Sequence, residues 1–171
     1  MGVTIHFEGG LRDESAYERV IQIAQAFARE HGWPMQLIAE SSATLKRVRE
    51  EQDWDYEGPT KGLVLQPHKN SDPLRLEFDA NLYIQEYCKT QFAASEVHIR
   101  VVELLRRLQP EFTDLIVEDE GEYWSSENRS ALQAHLDACF HALEEHLATD
   151  PNLTGPVRGP SGRIFDLVTR G

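Results

Sequence analysis

The chain has 171 residues, a size that one folded core can organise. Apolar residues make up 40% of it and charged residues 27%, which excludes a disordered polyelectrolyte. The net charge of −12 repels phosphate backbones and anionic membranes and favours a basic protein partner.

Cys88 and Cys139 stand without CxxC or CxxH spacing, so two buried thiols in a reducing compartment are expected rather than a disulfide framework. The opening stretch MGVTIHFEGG has no basic region followed by an apolar one, and no secretory signal is expected. His6 stands where a myristoylation pattern needs Ser or Thr. No apolar run approaches the length that spans a bilayer. A cytoplasmic protein of bacterial type is the resulting expectation.

Val3, Ile5 and Phe7 alternate with Thr4, His6 and Glu8, the pattern of a strand with one buried face. Asp13 then caps a helix whose stripe is Tyr17, Val20, Ile21, Ala24, Phe27 and Ala28. Gly32 supplies its left-handed end and Pro34 prevents continuation. Met35 to Glu40 is a second strand, so the opening is βαβ-like, with a right-handed crossover if the strands are parallel. Thr44 to Glu51 can form two helical turns with Lys46, Arg47 and Arg49 facing solvent. Asp53, Asp55 and Glu57 alternate around Trp54 and Tyr56 in an acidic loop. Six positions there resemble a calcium loop, but Val64 occupies the place that needs a bidentate Glu.

Gly62 to Gln66 is a short strand, and Leu74, Leu76 and Phe78 form the buried face of the next one. A three-residue loop, Asp79-Ala80-Asn81, with Asn81 left-handed, keeps Leu82 and Ile84 on the same face. In that register Phe78 faces Leu82 and Leu76 faces Ile84, while Glu77 lies beside Tyr83 and Arg75 beside Gln85. From Ser95 a helix carries Val97, Val101, Leu104, Leu105 and Leu108, widened by Ile99 and Val102. It should be buried on more than one side. Asp114 to Glu118 is a further strand, followed by an acidic turn. Ser126 or Asn128 caps the last helix, with Leu132, Leu136, Cys139, Phe140, Leu143 and Leu147 in phase.

The expected fold is a single α+β domain over residues 1–148, with a mixed, largely antiparallel sheet and three main helices packed on it. The element order is β-α-β-β-β-β-α-β-α. Residues 149–171 form an extended tail rich in Pro, Gly and Arg, whose Ile164, Phe165, Leu167 and Val168 dock on this chain or on another copy.

No complete catalytic motif is present: GxSxG, GxGxxG and GxxxxGK[ST] are all missing. His141 and His146 are five apart, about 140° around a helix, so they cannot share one ion. No metal and no cofactor is expected. Two stretches are candidates for recognition. Tyr83, Gln85, Tyr87 and Lys89 share one strand face beside Arg75 and Glu77, with His98 one turn into the following helix. Phenols, an amide and charges on one face suit a polar ligand or a protein. Glu118, Asp119, Glu120, Glu122, Tyr123 and Trp124 combine acids that steer a basic protein with aromatics that anchor it. The leading expectation is a non-catalytic interaction module of immunity or neutralising type, binding a basic partner and neither nucleic acid nor membrane. Two alternatives stand beside it. One is a small-molecule binder or enzyme using the Tyr/Lys/Glu cluster, and the other is a structural homodimer made through the tail.

Overall fold

The computed structural model describes residues 2–171. The first half contains β1 (Thr4–Leu11), α1 (Glu14–His31), β2 (Met35–Leu45), β3 (Val48–Arg49), β4 (Gln52–Asp53), β5 (Tyr56–Leu65) and β6 (Leu74–Phe78). Then come β7 (Tyr83–Lys89), α2 (Ser95–Leu108), a 3₁₀ turn at Gln109–Glu111, β8 (Phe112–Asp119), the single-turn α3 (Tyr123–Ser126) and α4 (Arg129–Thr149). Four two-residue strands follow: β9 (Leu153–Thr154), β10 (Val157–Arg158), β11 (Ile164–Phe165) and β12 (Val168–Thr169). The protein is an α+β fold. Among the described residues no helix is long and apolar enough to cross a membrane.

Two three-stranded sheets carry the architecture, ordered β7-β1-β8 and β2-β5-β6. Every pairing in them is antiparallel. The opening is therefore not a parallel βαβ unit: β1 and β2 belong to different sheets. β6 and β7 run side by side without a ladder. Asp79 N donates to Tyr83 O (3.0 Å) at one end of this seam, and Asp72 N donates to Lys89 O (2.8 Å) at the other. The loop between them differs from the three-residue expectation. Asp79 Oδ1 accepts from Asn81 N (2.7 Å) and Tyr83 N (3.0 Å), and its carbonyl accepts from Leu82 N. That side-chain closure draws in a fourth residue, and Leu82 rather than Asn81 takes the left-handed conformation (φ 60°).

The helices begin and end where their caps lie. Asp13 accepts from Ala16 N (2.8 Å), and Gly32 closes α1 at φ 68°. Asn128 caps α4 by accepting from Ala131 N, while Ser126 belongs to α3. The core lies between the sheets and two helices, with Ile5, Phe7, Leu63, Leu74, Leu76 and Ile84 meeting α1 and α2. On its other side, Ile99 of α2 joins a second cluster with Val3, Leu132 and Leu136. α4 therefore packs on α2 instead of covering the sheet. This double burial is why α2 is apolar over so much of its circumference.

The stretch expected to be helical, Thr44 to Glu51, is extended. β5 begins at Tyr56, well before Gly62, and holds Thr44 and Leu45 opposite Glu57 and Tyr56. β3 and β4 then form a hairpin whose two connecting residues, Glu50 (φ 50°) and Glu51 (φ 63°), are both left-handed. A two-residue hairpin favours that geometry, but Asn and Gly are its usual residues, and neither is present. Strain of this kind persists only where surrounding contacts hold it.

Candidate functional site

The outer face of the β7-β1-β8 sheet is set by register. Tyr87, His6 and Glu118 lie across the three strands in one row, and Gln85, Glu8 and Ile116 in the next. β1 is central, so its outward residues His6 and Glu8 form the middle of this floor. Glu8 Oε2 accepts from the Tyr83 hydroxyl (2.6 Å) and from Gln85 Nε2 (3.1 Å). Burial, and then the Glu8 carboxylate, push the Tyr83 phenol above its ordinary pKa.

The β3–β4 hairpin stands over one side of this floor. The Gln85 amide fixes it by accepting from Val48 N (2.9 Å) and donating to Val48 O (2.8 Å), as a neighbouring strand would. Arg47 holds it from beneath and is only 3% exposed, not solvent-facing as expected. Its Nη1 donates to Asp79 Oδ2 (2.8 Å) and its Nη2 to Tyr83 O (3.1 Å). The guanidinium carbon lies 5.6, 5.5 and 5.3 Å from the ring centres of Trp54, Tyr56 and Tyr83. Trp54 and Tyr56 thus enclose a buried cation. Lys46 pairs with Asp55 (2.7 Å) on the same wall, and that hydrogen bond, with Arg47 N–H, holds the Asp55 carboxyl below its ordinary range.

The C-terminal segment forms the opposite wall. Arg163 donates to Tyr87 O (2.8 Å) and Glu86 Oε2 (2.6 Å). It also stacks on the Tyr87 ring at 3.8 Å. Burial raises the Glu86 pKa even with Arg163 opposing it. Asp72, 1% exposed, accepts from Lys89 N (3.0 Å) and Ile164 N (2.7 Å) and so ties this segment to β7. Floor and walls enclose a groove of about 1000 Å³.

Four exposed apolar side chains line it: Val48 (54% exposed), Tyr87 (41%), Ile116 (51%) and Phe165 (52%). Its cations are occupied, since Arg47 pairs with Asp79, Arg75 with Glu77, and Arg163 with Glu86. Of the lining carboxylates, Glu8, Asp53 and Glu118 have no cationic partner among the described residues. What the groove offers a ligand is apolar surface and negative charge.

The candidate residues separate on this frame. Tyr87, Gln85 and Arg75 line the groove, and Tyr83 supports its wall. Glu77 is buried and accepts from Thr60 Oγ1 (2.7 Å). Lys89 turns away to Asp166 (2.6 Å). His98 is not on this face: it lies in the core, with Nδ1 2.6 Å from Thr90 Oγ1 and Nε2 2.9 Å from Asp119 Oδ1.

In the second stretch only Glu118 faces the groove. The Asp119 side chain is 2% exposed and accepts from Gly121 N and Trp124 N (both 2.8 Å), so it closes the turn and cannot meet a partner. Glu120 lies 3.1 Å from His6 and Glu122 2.6 Å from His135. Tyr123 and Trp124 pack against the core, and Arg106 covers Trp124 at 4.5 Å. Local sequence made this stretch look like an exposed patch because nothing in it announces His98 as the partner of Asp119. His6 and Glu8 were legible as outward residues of their strand, while the apolar run Leu115-Ile116-Val117 gave no sign of which face Ile116 takes. Arg47 and Arg163 were not, since a buried arginine looks like any other in sequence.

Burial raises the Asp119 carboxyl pKa, but His98 and the two turn N–H groups outweigh it and hold the group below its ordinary value. Such a depressed carboxyl stabilises the fold fully above its unfolded pKa, about 3.9, and loses that contribution as pH falls toward the folded value. The stability gap between wild type and Asp119→Asn should therefore be constant from pH 7 to about 5 and shrink progressively below about pH 4. Urea midpoints across that range measure it, and a gap undiminished at pH 3 would contradict the assignment.

The fold and groove define the class: an α+β protein whose antiparallel sheet is split at one seam and roofed by a clamped hairpin. No family model, curated protein or solved structure matches the chain.

Proposed function

We propose that the groove binds a basic, partly apolar segment of another protein, and that the chain is an interaction module of neutralising type. The observation that carries this reading is the coincidence of two features in one place. The groove collects the exposed Val48, Tyr87, Ile116 and Phe165, and the lining charges that lack a counter-ion among the described residues are carboxylates. An occupant that buries apolar surface while presenting ammonium or guanidinium groups meets both demands. The site lies on Glu118, Tyr87 and Glu8 rather than on the turn at Asp119 to Trp124. The concave shape also favours a second reading, a small amine-bearing ligand in the same groove.

The probe is a peptide in which lysine, valine and lysine alternate with threonines, Thr-Lys-Thr-Val-Thr-Lys-Thr, titrated by fluorescence anisotropy. Binding is expected at low salt, with affinity falling steeply as ionic strength rises. Glu118→Lys should weaken it at least about tenfold, because reversal removes an attraction and adds a repulsion. Equal binding by Glu118→Lys would reject the groove as the site. A small polyamine that binds while the peptide does not would favour the second reading.

A further inference from the structure

We infer that the partner's basic segment docks as an added β-strand on the free edge of β8. This rests on the reading of the groove as a site for a basic segment, and it specifies the backbone form of that segment. β8 is the outer strand of its sheet and pairs only with β1. Among the described residues nothing hydrogen-bonds to its far edge between Thr113 and Glu118. The outward N–H and C=O groups of the six residues from Thr113 to Glu118 are a template for another strand.

The side chains on β8 select what that strand is. Asp114, Ile116 and Glu118 are all exposed and alternate on the groove side, so they present acid, apolar, acid at the spacing of one strand face. A second copy of this chain in the same place would set acid against acid, on molecules that already carry −12 each. A strand with a basic, apolar, basic pattern at alternate positions meets each of the three with its complement. The other free edge, β2, offers no such selection: its one charged residue is Glu40, and its ladder slips between Glu40 and Ala43. Ile116 and Glu118 also belong to the groove's lining, so a strand on this edge lies along the groove's β8 side.

Strand addition has a signature that side-chain docking lacks. In an extended peptide the N–H groups of successive residues point to opposite edges, so those of Lys, Val and Lys share one edge and those of the threonines the other. The Thr-Lys-Thr-Val-Thr-Lys-Thr peptide reads the same in both directions, so its pattern fixes the register in either orientation. Two versions are compared with it, one N-methylated at Lys, Val and Lys, the other at the inner threonines. Strand addition on β8 predicts that one version loses at least about tenfold in affinity, through lost hydrogen bonds and methyl groups in the seam. The other, with its methyl groups facing solvent, should bind nearly as the parent does. Equal affinities for the two versions, both retained or both lost, would overturn strand addition. If the parent peptide binds and Glu118→Lys weakens it while the methylated pair behave alike, the groove reading stands and only the strand fails. If the parent does not bind at all, both fall together.

Discussion

Asp79→Ala is expected to lower the unfolding free energy by about 3–5 kcal/mol, the range for stripping one partner from a buried ion pair. Asp79 performs two tasks at once. Its Oδ2 neutralises Arg47, and its Oδ1 accepts the N–H groups of Asn81 and Tyr83 that close the β6–β7 loop. Without it the guanidinium stays enclosed by Trp54, Tyr56 and Tyr83 with one carbonyl, that of Tyr83, as acceptor. Its Nε already has no acceptor among the described residues, so there is little reserve to draw on. Asp79→Asn should cost less, since an amide oxygen can still close the loop. The double variant Arg47→Met/Asp79→Asn should recover much of the Asp79→Ala loss, because an apolar side chain of similar length needs no counter-charge. Urea denaturation measures all three. A loss under about 1 kcal/mol for Asp79→Ala would mean that Arg47 escapes to water easily, and the hairpin wall would then be mobile rather than clamped.

The second large effect concerns the opposite wall. Asp72→Ala removes the acceptor of two N–H groups, Lys89 N on β7 and Ile164 N on β11. It also removes a carboxylate whose Oδ2 lies 3.5 Å from Arg163. Unsatisfied buried donors cost about 1–3 kcal/mol each, so a loss of about 2–6 kcal/mol is expected for the two. The loss should be local. The segment after α4 is held by Arg163, by Lys89 to Asp166, and by Arg158 to the carbonyls of Lys69 and Ser71. Weakening its central tie should open the segment before the core unfolds. Trypsin should then cut at Arg158 and Arg163 at least about tenfold faster, following the larger open population, while fragments from β1 to α4 stay intact. If cleavage stays as slow as in wild type, the wall has other anchors that outweigh Asp72. Peptide affinity should fall with the wall, because Arg163 and Phe165 leave the groove with it.

This cis docking also bears on a dimer made through the same residues. Arg163 and Ile164 are already engaged on their own chain, and Ile164 is buried there. Val157 and Phe165 remain exposed, and Phe165 lines the groove. On the proposed reading Phe165 serves the groove, and a dimer through the tail would draw on the same exposed Val157 and Phe165.

Much of the fold was determined locally and was legible in the residues. Asp13 and Gly32 bound α1 because a side-chain acceptor and a left-handed glycine satisfy helix ends whatever surrounds them. The alternation of Val3, Ile5 and Phe7 against His6 and Glu8 set which face of β1 is buried, since strand side chains alternate by geometry alone. The breadth of apolar residues on α2 required burial on two sides, which the sheet side and α4 supply. Thr44 to Glu51 was misread because Glu50 and Glu51 are poor hairpin residues, tolerated only where Gln85 and Arg47 hold the hairpin down from distant strands. The same holds for function. The sequence by itself determined an acidic surface and the outward-facing Tyr87 and Glu118. Only the tertiary structure decided that Asp119 would be buried on His98, that Arg47 and Arg163 would be neutralised in place, and that Val48, Ile116 and Phe165 would share one groove. These outcomes depend on pairings between residues far apart in the chain. A charge or an apolar group carries no mark, in its own neighbourhood, of the partner that long-range packing will bring to it.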